Sequence, residues 1–175
     1  MRRFAAFVAA IFLAGCVNLA PLGPTGDGDA FSGRLVLRVE PLGTAPARAF
    51  SAAFDLRGDS RTGALGLSTP LGSMLAQARW RPGEVVLVTP QGTRQFADLG
   101  GLTREVLGES VPIEAWFDWL HGRPWTGASS IAATATSFAQ LGWTVDLGRF
   151  DEGAVSAQRS EPLPVVTVRI RLDPS

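Results

Sequence analysis

The chain contains no lysine, a single cysteine and a single histidine, and it has no long apolar run beyond its first residues. Each shortage closes off a class of function. One cysteine cannot form a disulfide within the chain, so packing alone must hold the fold. The one histidine, His121, leaves no histidine cluster for a metal, and a Ser-His-acid set would need a serine brought beside it. At the end of a helical stretch it is better suited to bonding the last helix carbonyls. A glycine-rich phosphate loop and a nucleophile elbow are missing too. The 16 basic residues are all arginine and are matched by 16 acids, so no net positive field exists to attract nucleic acid. Asp55, Asp59, Asp98 and Asp118 are scattered and read as solvated or capping acids. The sequence thus predicts no enzyme, no metal and no cofactor.

What is present begins at the amino terminus. Arg2 and Arg3 precede an apolar stretch over residues 4–13, and Ala14 and Gly15 lead to Cys16, a layout that predicts a secretory signal over residues 1–15. The stretch is shorter than the roughly 20 residues needed to cross a bilayer. Leu13-Ala14-Gly15-Cys16 resembles the bacterial lipobox, which implies cleavage before Cys16 and lipidation of its thiol; the other reading is an ordinary signal with an incidental cysteine. Several acyl chains on one residue give stable membrane attachment. Val17, not aspartate, follows the cysteine, which under the enterobacterial sorting pattern implies the outer membrane. Losing residues 1–15 removes Arg2 and Arg3, so 16 basic residues become 14 against 16 acids. Residues 16–30, crowded with proline, glycine and aspartate, predict a flexible tether with an end-to-end distance of roughly 20 Å.

With 46% apolar residues and five tryptophans, residues 31–175 can bury one core. Phe31, Gly33, Leu35, Leu37 and Val39 alternate with polar residues, the period of a half-buried strand. The same alternation predicts strands over 49–56, 63–68, 73–80, 84–89, 93–97, 134–138, 143–147 and 165–172. Many short strands joined by tight turns predict an antiparallel sheet. Between residues 98 and 122 the period becomes helical. Leu102, Val106 and Leu107 predict one short helix, and Ile113, Trp116, Phe117 and Leu120 a second, capped by Ser110, with Pro112 in its first turn and Gly122 at its end. Two helices inserted in a β protein must pack on one face or mouth of the sheet, as a lid does. The expected fold class is therefore mainly β, of α+β type.

Between two of the predicted strands lies Ser68-Thr69-Pro70-Leu71-Gly72-Ser73. Proline second and glycine fourth favour a type I turn over residues 69–72, which puts Leu71 at the tip. Single exposed apolar residues are common, so physics alone leaves its role open.

Several stretches, taken in order, resemble the LolB family of outer-membrane lipoproteins. They are the lipobox ending at Cys16, Phe31-Ser32-Gly33-Arg34, the Pro70-Leu71-Gly72 turn with its flanks, and Val111-Pro112-Ile113 leading into Trp116; Phe138-Ala139-Gln140-Leu141-Gly142-Trp143 and Leu163-Pro164 complete the set. The chain departs from the family in its short hairpins and in lacking a tryptophan in the final strand. The resemblance implies a single unclosed antiparallel β-barrel over residues 31–175, with a short helical lid inserted mid-chain over an apolar cavity. It implies an acceptor, lipid-anchored on the periplasmic face of the outer membrane, that takes lipoproteins from a LolA-like periplasmic carrier and inserts them into outer-membrane phospholipid. The expected partners are that carrier, lipoprotein acyl chains and phospholipid, and the chain is expected to be a monomer without a cofactor. Leu71 matches the exposed leucine of the family's membrane-insertion loop. Leu65, Leu67, Trp119 and Trp143 are expected to line the cavity, with Trp116 and Phe117 closing the lid; packed core is the other reading of each. The competing function is a structural or assembly lipoprotein of the envelope with a packed β domain and no acyl-chain cargo.

Overall fold

The computed structural model describes residues 28–174, so the signal segment, Cys16 and most of the expected tether lie outside the described residues. Eleven strands and two short helices follow one another as β1 (Asp29–Val39), β2 (Arg48–Gly58), β3 (Gly63–Ser68), β4 (Met74–Arg81), β5 (Glu84–Thr89), β6 (Gly92–Phe96), α1 (Leu99–Leu107), α2 (Ile113–Trp119), β7 (Ser130–Thr134), β8 (Ser137–Gln140), β9 (Trp143–Asp146), β10 (Ala154–Arg159) and β11 (Val166–Leu172). All strands join one sheet in the order β6-β5-β4-β3-β2-β1-β11-β10-β9-β8-β7. Every pairing is antiparallel. β6 and β7 are the two edges, so the sheet is not closed. The chain winds out to one edge, crosses through both helices, and winds back from the other edge until β11 pairs with β1.

This topology sorts the turns. The β1–β2, β3–β4, β5–β6, β8–β9 and β10–β11 connections lie at one end of the sheet, and the β2–β3, β4–β5, β7–β8 and β9–β10 connections at the other.

The period-two pattern fixes which face is buried. In β1, Leu35, Leu37 and Val39 point inward while Arg34, Val36 and Arg38 face solvent. They join Phe54 and Leu56 of β2, Val168 and Ile170 of β11, and Leu102, Ile113, Trp116 and Trp119 from the helical segment in one buried cluster. Each such side chain contributes about 1.5–3 kcal/mol when removed from water. The helices therefore occupy the inner face of the sheet.

Four local features differ from the sequence expectation. The single strand expected over 134–138 is a turn: Thr134 pairs with Ser137, closing a hairpin between β7 and β8. β7 is exposed along its whole length, so no alternation marks it. β10 was not expected at all, because its inward positions are Val155, Ala157 and Arg159, a weak apolar signal. Ser110 does not cap α2, whose N-cap is Pro112 without a side-chain bond; Asp98 caps α1, its carboxylate accepting from Gly101 N–H at 2.6 Å. β1 also begins two residues inside the expected tether, at Asp29.

Candidate functional site

The hairpin between β3 and β4 is built on three loop residues, Pro70, Leu71 and Gly72. The Thr69 carbonyl accepts from Gly72 N–H at 2.9 Å, and Thr69 N–H donates to the Ser73 carbonyl at 2.9 Å. Leu71 keeps a negative φ, which gives a type I turn, and Gly72 follows at φ 83°, a conformation that suits glycine. The Thr69 hydroxyl accepts from Ser73 N–H at 3.1 Å and closes the base. Leu71 is 94% exposed. A turn this short gives its third residue no route back to the core.

An apolar pocket of about 60 Å³ lies between the inner face of β1–β5 and the helices. Leu65, Leu67 and Trp116 line it, together with Leu35, Leu37, Phe50, Ala76, Ala78, Leu87, Leu102, Thr103, Val106, Leu107, Val111 and Ile113. Phe50, Leu67, Ala76, Val106 and Leu107 are partly or largely exposed, whereas the rest are buried. The exposed lining marks the mouth, and Leu67 and Ala76 put that mouth at the base of the Leu71 hairpin. At the other end of the sheet, Phe117 packs between Phe31 and Trp80, with ring centroids 6.5 and 6.1 Å apart. Gly63 makes room for this cluster, since a Cβ there would lie 2.5 Å from the Trp80 ring. His121 joins it, stacked edge-on to Phe31 and donating from Nδ1 to the Phe117 carbonyl at 2.9 Å.

The expected cavity residues are thus not all in one place. Trp119 lines a second void of about 10 Å³, separated from the first by Trp116. Phe117 belongs to the aromatic cluster and lines neither void. Trp143 is buried on β9 with the Arg159 guanidinium 5.8 Å above its ring. It lines neither void either.

Two buried polar groups tie the helical segment to the sheet, and sequence reasoning assigned a role to neither. The Gln140 carbonyl oxygen accepts from Trp119 Nε1 and from Trp125 N–H, both at 2.9 Å, while its amide donates to the Trp125 and Ala128 carbonyls at 2.7 and 2.8 Å. All its hydrogen-bonding capacity is used. Arg159 reaches from β10 to Glu109 in the α1–α2 connection at 2.6 Å, an almost fully buried ion pair. The same connection is tied back to α1, where the Thr103 hydroxyl accepts from Val111 N–H at 3.0 Å. The available signals were Gln140 inside its motif with Trp143 and, for Arg159, an arginine on the inward side of a strand.

The acids are structural. Asp55 pairs with Arg57, Asp118 pairs with Arg123, and Asp59 accepts from Arg61 and Thr62 N–H in the β2–β3 turn. Among the described residues, no helix is long and apolar enough to cross a membrane.

A family model described as outer membrane lipoprotein LolB matches residues 30–173. The outer-membrane lipoprotein LolB of Bordetella petrii is 35% identical over 171 residues, covering 90% of this chain and 85% of the relative. That of Bordetella pertussis is 33% identical, with 97% and 91% covered. That of Cupriavidus necator is 30% identical, with 99% and 96% covered. Matched over most of its length by the family model and by relatives at this identity, the chain belongs to the LolB family of lipid-anchored outer-membrane lipoproteins.

Proposed function

We propose that this protein, a lipoprotein localisation factor of the outer membrane, receives lipoproteins from a LolA-like periplasmic carrier and inserts them into the outer membrane without enzymatic chemistry. In this reading the acyl chains of the cargo occupy the apolar pocket, and Leu71, held out by Pro70 and Gly72, enters the bilayer and opens the path for release. One observation carries the reading: the pocket's half-exposed mouth lies at the base of the leucine-tipped hairpin.

The physics requires such an arrangement. Exposing an acyl chain to water costs about 0.8 kcal/mol per CH₂, so the chain must stay covered between carrier and bilayer. Leu65, Leu67 and Trp116 supply apolar cover. A void of about 60 Å³ has room for only a few water-sized groups, so cargo entry requires α1, with Leu102, Val106 and Leu107, to move away from the sheet. Transfer then follows differences in affinity, from carrier to pocket to bilayer, and needs only moderate binding at the pocket. Cys16 holds the domain near its target membrane and takes no part in the transfer step.

The test uses the chain from residue 16 with Cys16→Ala, which retains every residue of the described core. Loaded by a carrier bearing a lipoprotein, it should retain that lipoprotein, and mass spectrometry of extracted complexes should find the triacylated cargo. A chain that folds but never retains acylated cargo would contradict the reading and favour a structural role.

A further inference from the structure

The end of the sheet that carries Leu71 carries other leucines in the same situation. Leu42 in the β1–β2 turn is 44% exposed, Leu141 in the β8–β9 turn 45% and Leu163 in the β10–β11 turn 61%. Four of the five strand connections at this end therefore display one leucine each. Each is fixed by its neighbours: Pro41-Leu42-Gly43 repeats the tripeptide Pro70-Leu71-Gly72, Leu141 precedes Gly142, and Leu163 sits between two prolines. Leu42 is held by a pair of backbone hydrogen bonds with Ala45, at 3.1 and 2.9 Å. Leu141 has a φ of 53°, which makes it the one non-glycine residue with positive φ among the described residues. That conformation suits asparagine or glycine, so a leucine there marks a demand other than folding.

The opposite end is different in kind. Its turns hold Asp59, Arg61, Arg149, Asp151 and Glu152, and no large exposed apolar residue among the described residues. At the leucine end the turns themselves contain two charges, Glu40 and Glu161.

We infer that the leucine end is a multipoint bilayer-docking surface, in which Leu42, Leu141 and Leu163 enter the lipid interface alongside Leu71. A bilayer fits this pattern because the leucines project singly from separate loop tips, with charge withdrawn to the far end. A groove for a partner helix or strand would gather them on one face. The membrane is also the surface beside which a lipid-anchored protein of this family resides. Docking by this end puts the pocket mouth, with Leu67 and Val106, against the acyl region. The inference rests on the delivery reading of Leu71.

The test is co-sedimentation of the chain from residue 16, carrying Cys16→Ala, with vesicles of phosphatidylcholine and phosphatidylglycerol. Leu42→Asn, Leu141→Asn and Leu163→Asn should each lower vesicle partition about five-fold, and the triple variant about 100-fold, although Leu71 is intact. Added salt should leave binding by the unsubstituted chain unchanged, as apolar docking requires. Thermal unfolding of each variant establishes that it is folded, and Leu141→Asn alone keeps the test open should the triple variant fail to fold. A folded triple variant that partitions like the unsubstituted chain would overturn the inference. So would an unsubstituted chain that does not bind vesicles, or a triple variant that binds vesicles normally and loses only the carrier. The delivery reading fails separately, through absence of acylated cargo or through full delivery by a Leu71→Glu variant.

Discussion

Leu71 and Leu141 sit at the tips of two hairpins on the same end of the sheet, and their backbones bear them differently. Leu71 occupies an unstrained position of a type I turn, with the left-handed conformation left to Gly72. Its exposure was legible from Pro70 and Gly72 alone, because those two residues dictate the turn. Leu141 takes the left-handed conformation itself, next to Gly142 at φ 79°, which makes a two-residue turn of the kind that favours Asn-Gly. No sequence pattern announced this, since a leucine beside a glycine reads equally well as the end of a strand. Leu141→Asn should therefore raise stability by about 1 kcal/mol, read as a higher midpoint in urea unfolding. An unchanged or lower midpoint would show that the strain is not stored there. Glu114, in the first turn of α2, is partly buried. Burial above all pushes its carboxyl up from the ordinary range, and the charge of Asp98 adds to this, while its own backbone N–H pulls it down. The folded chain thus holds this proton to higher pH than the unfolded chain, and ionising Glu114 costs stability as pH rises through the carboxylate range. Glu114→Gln should be more stable than the unsubstituted chain at neutral pH, with the difference closing below about pH 4. Urea unfolding at the two pH values checks this, and a difference independent of pH would contradict it.

At the scale of elements, the strands with strong alternation were legible, and β7 and β10, which lack a strong apolar signal, were not. β1, β2 and β11 present large inward side chains against mostly polar outward ones, so period and burial agree. β7 has five exposed small or isolated residues, and only its pairing with β8 makes it a strand. β10 hides its signal because Arg159 takes an inward position, where Glu109 and the Trp143 ring compensate its charge. The connection from α2 to β7 was also opaque, since its order comes from Gln140 on β8, beyond the strand that the connection leads into. That glutamine satisfies two carbonyls, one backbone N–H and the Trp119 indole at once. Gln140→Ala should leave those groups unpaired and lower stability by about 3 kcal/mol, with enhanced hydrogen exchange over residues 125–128. Loss of stability without a change in exchange there would place the effect elsewhere. The Gln140-Leu141-Gly142-Trp143 motif is thus three devices in four residues: a buried polar tie, a strained tip and a core tryptophan.

Across the whole molecule, the sheet is plugged at one end by Phe31, Trp80 and Phe117 and open at the other, where the leucines gather. The mainly β, antiparallel architecture was legible from strand spacing and from the helical interruption mid-chain, and its unclosed form was what the resemblance to the LolB family implied. The division of the expected lining among a pocket, a smaller void, an aromatic plug and, for Trp143, the packed core under Arg159 was not legible, because tryptophan and phenylalanine suit each of these places and only three-dimensional register separates them. This asymmetry gives the domain a direction, with the exposed leucines and the pocket mouth at one end and a charged, closed far end. In the proposed function, receiving lipoprotein and releasing it into a bilayer are separate steps, the first set by the pocket and the second by Leu71. The most direct measurement is lipoprotein transfer from carrier to protein to liposome with the Leu71→Glu variant, whose unfolding midpoint should stay within about 0.5 kcal/mol of the original because the side chain touches nothing in the core. The account predicts that this variant accepts lipoprotein as well as the unsubstituted protein and delivers little or none of it. Delivery at the full rate would contradict it.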